Sequence, residues 1–212
     1  RQNVRRRCVA QNEAAGKSIG YLFAPKDSDN KLEGGWDWAI LTGNEKGNFQ
    51  INPFTGELTI APNAKLDAES LDHYFDLSFS ARLHDASAPL SDIFGIYACS
   101  IFVLNINEFA PNIAGNEQFN INENTTLVGQ FTATDRDVGM PYLSFRLEGA
   151  DANKFSISPT GELNFLTPPD FESPKSSKGS NSYEVSVIAN DGKFDSVPKL
   201  ISITVLDVLN AP

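Results

Sequence analysis

About half of this chain is written twice. Phe49-Gln50-Ile51 followed by Thr55-Gly56-Glu57-Leu58 returns as Phe155-Ser156-Ile157 followed by Thr160-Gly161-Glu162-Leu163, a shift of 106 positions. The apolar run at 77–83 maps onto 183–189 at the same shift. A single Thr-Gly turn between short strands is common, because glycine takes positive φ without a Cβ clash. Matching turns, strands and spacing together mean two copies of one domain. The repeat assigns 1–104 to the first copy and 112–212 to the second. The stretch Asn105-Ile106-Asn107-Glu108-Phe109-Ala110-Pro111 joins them, its proline ending a long apolar run.

Each copy reads as β structure. Phe75, Leu77, Phe79, Ala81 and Leu83 alternate with Asp76, Ser78, Ser80, Arg82 and His84. Tyr183, Val185, Val187 and Ala189 alternate with Glu184, Ser186, Ile188 and Asn190. A period of two puts one face in a core and the other in water. Further strands are expected at 17–24, 36–41, 48–52, 56–61 and 93–106, then at 126–134, 142–147, 154–158, 161–166 and 197–208. Helical patterns are almost absent, so the fold class is all-β, a sandwich or barrel. The polar insertion at 173–181 reads as a mobile surface loop.

Composition narrows the function. With 212 residues, 41% of them hydrophobic, each copy can bury a core. A formal charge of -10 argues against nucleic acid and anionic membrane surfaces as partners. No apolar stretch is long enough to span a membrane. No signal peptide is visible, which suits a piece of a longer protein. No nucleophile, metalloprotease or phosphate-loop motif occurs, so no enzyme is expected. Cys8 and Cys99 lie near the ends of the first copy, which leaves a bridge or two free buried thiols. Trp36 and Trp38 share one side of a strand, where core packing competes with a sugar-binding platform. His73 and His84 read as surface or strand polar residues. Asn124-Thr125-Thr126 is an N-glycosylation sequon.

The carboxylates repeat as well. Glu13 is matched with Glu123, Asp27 and Asp29 with Asp135 and Asp137, Asp67 and Glu69 with Asp170 and Glu172, and Asp85 with Asp191. Crowded carboxylates repel unless cations neutralise them, and clustered oxygens suit a hard cation such as calcium.

In these motifs (Leu66-Asp67-Ala68-Glu69, Pro169-Asp170-Phe171-Glu172, Asp135-Arg136-Asp137 and Ala189-Asn190-Asp191) the chain resembles a tandem pair of cadherin repeats. The second copy is also similar to cadherin-like repeats of large microbial surface proteins. The resemblance implies two seven-stranded Greek-key β-sandwiches of the Ig-like, cadherin type, with two to three Ca²⁺ at their junction. The implied ligands are Glu13, Asp67, Glu69, Asn105, Glu108, Asp135, Asp137 and Asp191, with the carbonyls of Ile106 and Asn107. Against the family's D-x-N-D-N-x-P linker, Asn105 and Glu108 stand where Asp is usual and Phe109 where a ligating Asn is usual, so individual sites should be weakened. Glu123, Asp170, Glu172, Asp207 and Asn210 would serve a following repeat. The implied role is calcium-dependent rigidification of an extracellular, cell-surface adhesive array, with neighbouring repeats of the same chain and a homophilic or heterophilic surface protein as partners. A glycan ligand or a purely structural spacer are the rival readings. No tryptophan near the start supports strand exchange.

Overall fold

The computed structural model describes residues 4–10, 12–22, 36–70, 73–83, 93–137, 139 and 142–208. The chain divides into two compact units, Arg1–Ile106 and Asn107–Pro212.

In the first unit the strands are β1 (Val4–Ala10), β2 (Ser18–Tyr21), β3 (Trp36–Thr42), β4 (Phe49–Ile51), β5 (Glu57–Ile60), β6 (Tyr74–Leu83) and β7 (Ile93–Leu104). They form one sheet in the order β1-β7-β6-β3 and another in the order β2-β5-β4. Phe75, Leu77, Phe79 and Ala81 of β6 are buried, as their alternation requires. Phe75, Leu77 and Phe79 pack with Phe49, Leu58, Ile60, Ile101 and Val103 in the core of this unit, and Ala81 packs with Trp38.

The second unit comprises β8 (Asn112–Ala114), β9 (Gln118–Asn122), β10 (Leu127–Gln130), β11 (Thr132–Thr134), β12 (Ser144–Glu148), β13 (Phe155–Ile157), β14 (Glu162–Phe165), β15 (Ser182–Asn190) and β16 (Lys199–Leu206). Its sheets run β12-β15-β16-β9 and β10-β14-β13, with β8 and β11 as a separate pair. Nine described strands stand here where seven were expected, because the first two positions are each split in two. At one split, Gly115 adopts φ 148, and a Cβ there would lie 2.5 Å from Phe131 Cδ1. Tyr183, Val185, Val187 and Ala189 are buried as expected, but Ile188 on the other face of β15 is buried too.

The duplicated Thr-Gly turns share one physical cause. Gly56 and Gly161 have φ +68 and +87, and a Cβ on Gly161 would come within 2.1 Å of the Phe131 carbonyl oxygen. Only glycine fits that backbone.

The register corrects the alignment of β6. Phe75 lies opposite Ile101 in β7, and Tyr183 lies opposite Ile203 in β16. Phe75 meets Phe49 edge-on, and Tyr183 meets Phe155 edge-on. Phe75 and Tyr183 are therefore equivalent, and β6 maps onto β15 two residues away from the 106-position shift.

Other expectations resolve locally. Cys99 is buried, and the β1–β7 register sets Arg5, not Cys8, opposite it. Trp38 is buried and packs on Tyr97 at 5.4 Å between ring centroids, so it belongs to the core and offers no sugar platform. His73 is exposed, with Nδ1 2.9 Å from the Ser70 carbonyl. Asp27, Asp29, His84, Asp85 and Asn210 lie outside the described residues.

The insertion at 173–181, expected to be mobile, is anchored. Asp151, only 1% exposed, accepts the backbone amides of Ser177 and Glu184. Asn181 Nδ2 donates to the Phe171 carbonyl, and the Ser176 hydroxyl to the Ser180 carbonyl. Burial pushes the Asp151 carboxyl up, but the Glu184 and Ser177 hydrogen bonds outweigh it and hold the pKa below the ordinary carboxylate value. A depressed folded pKa contributes stability that is present above the unfolded pKa of about 3.9 and is lost as pH falls through the folded value. Asp151→Ala strands two amides and should cost about 2–4 kcal/mol in urea unfolding at pH 7. The gap between variant and wild type should narrow below about pH 4.

Candidate metal-binding rims

In the second unit the acidic residues are held by backbone amides. Asp135 follows β11 directly, and its Oδ1 accepts the Asp137 amide at 2.9 Å, closing a short Asx turn. Asp137 is 5% exposed, and its Oδ2 accepts the amides of Glu108 at 3.1 Å and Phe109 at 3.0 Å. Asp191 follows β15, and its Oδ1 accepts the amides of Lys193 and Phe194, both at 2.7 Å. Burial raises the Asp191 pKa, but the Phe194 and Lys193 amides and the Asn107 side chain more than offset it, so the carboxyl lies below its ordinary value.

Each of these carboxylates therefore has one oxygen fixed by peptide N–H groups. The second oxygens, Asp135 Oδ2, Asp137 Oδ1 and Asp191 Oδ2, are buried and have no hydrogen-bond partner. Buried acceptors of that kind are costly unless something positive meets them. This donor set, hard anionic oxygens pre-oriented by their own loops, fits a divalent cation such as Ca²⁺.

Two cations that the motif reading missed lie in the same unit. Lys193 Nζ donates to the Asn107 carbonyl at 2.6 Å and sits 4.6 Å from the Phe194 ring centroid. The Arg136 guanidinium lies 4.3 Å over the Phe109 ring. Both were visible in the sequence, Arg136 between two aspartates and Lys193 two residues past Asp191. Phe109, the departure from the family linker, is thus the platform for a cation–π contact.

In the first unit, Asp67 Oδ1 accepts the Glu69 amide at 2.9 Å, and the Asn12 amide reaches the Leu66 carbonyl at 3.4 Å. The latter bond sets the loop of Glu13 beside that of Asp67. Glu13 forms an exposed ion pair with Lys17 at 3.2 Å. Asn105 is half-buried and Ile106 is exposed. The match of Glu13 with Glu123 does not follow the strand register. Ala10 lies opposite Leu104, and Asn122 lies opposite Leu206, so Glu13 stands two positions past the counterpart of Glu123.

The described acidic residues whose oxygens converge are Glu123, Glu172 and Asp207, all within 4.8 Å of one another. Glu123 is buried, and its two oxygens accept the amides of Phe171 at 3.1 Å and Val208 at 3.0 Å. Glu123 and Asp207 directly follow β9 and β16, and Glu172 lies in the Pro169–Glu172 motif.

No protein-family model matches the chain. It is 32% identical over 216 residues to the Fat-like cadherin-related tumor suppressor homolog of Drosophila melanogaster, covering 96% of this chain and 4% of that protein. It is 28% identical over 188 residues to mouse Protocadherin Fat 4, covering 86% of this chain and 4% of that one. It is 24% identical over 216 residues to human Protocadherin-23, covering all of this chain and 6% of that one. The chain thus spans 4–6% of the length of these relatives. Among solved structures, mouse Cadherin-23 EC22-24 matches with a TM-score of 0.73 at 22% identity, over 98% of this chain and 63% of that one. Human Protocadherin-24 EC1-2 matches with a TM-score of 0.72 at 21% identity, over 96% of this chain and 94% of that one. The chain consists of cadherin-like, extracellular β-sandwich domains. These relatives are animal proteins and do not support the expected likeness to microbial surface proteins.

The Asp137 bonds predict a metal-independent effect. Without calcium, Asp137→Ala should speed hydrogen exchange at the Glu108 and Phe109 amides at least about tenfold, the size of one lost charge-assisted hydrogen bond. Unchanged exchange would remove Asp137 as the anchor of this stretch.

Proposed function

We propose that the chain is a calcium-rigidified pair of cadherin-like repeats from a longer extracellular adhesive array. In this reading 1–104 and 112–212 are the repeats, and 105–111 is the calcium-binding linker. The observation that carries it is the trio of buried carboxylate oxygens without partners at Asp135, Asp137 and Asp191. Calcium binding is typical of cadherins, and bound Ca²⁺ supplies positive charge shared by several oxygens.

The proposed ligands are Asp67, Glu69, Asn105, Glu108, Asp135, Asp137 and Asp191, with the carbonyls of Ile106 and Asn107; Glu13, off register and paired with Lys17, is left out. Asp135 presents a fixed oxygen because its own turn holds it, and Asp137 because the Glu108 and Phe109 amides do. Asp191 does so because the Lys193 and Phe194 amides hold its other oxygen. Glu108 and Phe109 are tied to Asp137 through their amides, so the linker backbone moves with the carboxylates. Without a cation these carboxylates repel one another and the linker is free to swing. With two to three ions neutralised among them, the linker is stiffened and the array can present surfaces to a homophilic or heterophilic cell-surface partner. Glu123, Glu172 and Asp207, with Asp170, would serve a following repeat in the same way.

Titration calorimetry should detect calcium binding, and small-angle scattering should show a narrower distribution of lengths with calcium than with chelator. Heatless titration together with calcium-independent scattering would overturn the proposal. Asp137→Ala should weaken binding about tenfold or more. Lys193→Met removes the ammonium competing for the Asn107 carbonyl and should tighten calcium binding several-fold in the same titration. Equal or weaker affinity would mean that Lys193 does not compete.

A further inference from the structure

The β9–β10 connection carries the chain's only Asn-x-Ser/Thr triplet, Asn124-Thr125-Thr126. All three residues are exposed. Asn124 has φ 63, the left-handed conformation that projects a side chain from a tight turn. The peptide groups of this turn are engaged elsewhere. The Asn124 amide donates to the Pro169 carbonyl at 2.9 Å, and the Thr126 carbonyl accepts the Phe165 amide at 2.8 Å. The Asn124 carboxamide and the Thr126 hydroxyl make no hydrogen bond with the described residues.

A bland explanation exists for the asparagine: left-handed turns favour Asn whatever its use. The first unit contains the control. Asn12 has φ 57 and sends its amide to the Leu66 carbonyl, the counterpart of the Pro169 contact. There the next two residues are Glu13 and Ala14, with no hydroxyl two positions on. Turn geometry therefore accounts for asparagine in both units, but not for Thr126.

We propose that Asn124 is an N-glycosylation site, a step that rests on the extracellular reading of the chain. The co-reactant is an oligosaccharide linked through a diphosphate to a membrane polyprenol. The Asn124 Nδ2 forms a bond to the anomeric carbon of the reducing-end sugar. The bond from that carbon to the diphosphate oxygen breaks, the diphosphate leaves with the electron pair, and one Nδ2 proton passes to a base. The side chain is exposed and the turn is held by backbone bonds, so the glycan adds without disturbing the fold. It stands beside Glu123, at the edge of the Glu123–Glu172–Asp207 rim.

The test is expression of the 212-residue chain behind a cleavable secretory leader in animal cells, with glycan read by peptide mass in cell and medium fractions. The expected result is a glycan at Asn124 that peptide N-glycosidase removes, shifting the band downward. Asn124→Gln and Thr126→Ala should each abolish that shift, while Thr125→Ala and Thr126→Ser should keep it and Asn12 should stay unmodified. Unmodified wild-type chain in the medium, or a shift that persists in Asn124→Gln, would overturn the site. Failure of every form to reach the medium would count against the extracellular reading instead, since the cell fraction still reports modification.

Discussion

The parallel pairing of an entering strand with the last strand of its unit sets much of the rest. β1 runs parallel to β7, and β9 runs parallel to β16. Parallel neighbours cannot be joined by a tight hairpin, and here nearly a whole unit lies between them in sequence. Because both strands run the same way, both end at the same edge of the sheet. In the second unit that brings Glu123 and Asp207 out together, with the Glu123 amide on the Leu206 carbonyl at 2.9 Å and the Val208 amide on the Glu123 carboxylate. The Phe171 amide closes on the other Glu123 oxygen, which draws Glu172 in. The acidic trio thus follows from strand direction together with one buried glutamate.

Most strand positions and their buried faces were legible in the sequence because period-two burial writes itself into residue order, but β1, β8 and β9 stand where no strand was expected. The same period hid an error. A slip of two residues leaves every side chain on its own face, so the shift at β6 could not be told from its neighbour by alternation alone. Only the cross-strand partner of Phe75 and its edge-on contact with Phe49 fix it. The Glu13 match failed in the same way, since two glutamates near a strand end look equivalent until the ladder is counted. Polar composition misled in a different direction at 173–181, where Asp151 holds the Ser177 and Glu184 amides, Asn181 the Phe171 carbonyl and Ser176 the Ser180 carbonyl. Composition reports polarity, and it does not report whether the polar groups face water or each other.

The aspartates of the candidate site were readable, but the means of holding them was not. Asp135 and Asp191 each give one oxygen to peptide N–H groups in their own loops, and Asp137 gives one to the amides of Glu108 and Phe109. Those bonds make the second oxygen a positioned acceptor instead of a mobile charge. Side chains that must be ordered at the moment of binding lose rotamer freedom then, whereas these have lost it on folding. The acidic rim is accordingly organised before any cation arrives.

Phe109 shows how the chain handles the charge that remains. In the family pattern its position supplies an oxygen; here it supplies an aromatic face, with the Arg136 guanidinium 4.3 Å above it. A contact of this kind is worth about 0.5–1 kcal/mol at an exposed site. Its larger effect is to hold a permanent positive charge on the residue between Asp135 and Asp137. Lys193 does the same at the Asn107 carbonyl. Two cationic side chains of the chain itself thus stand against this acidic set, and they partly compensate the repulsion among its carboxylates.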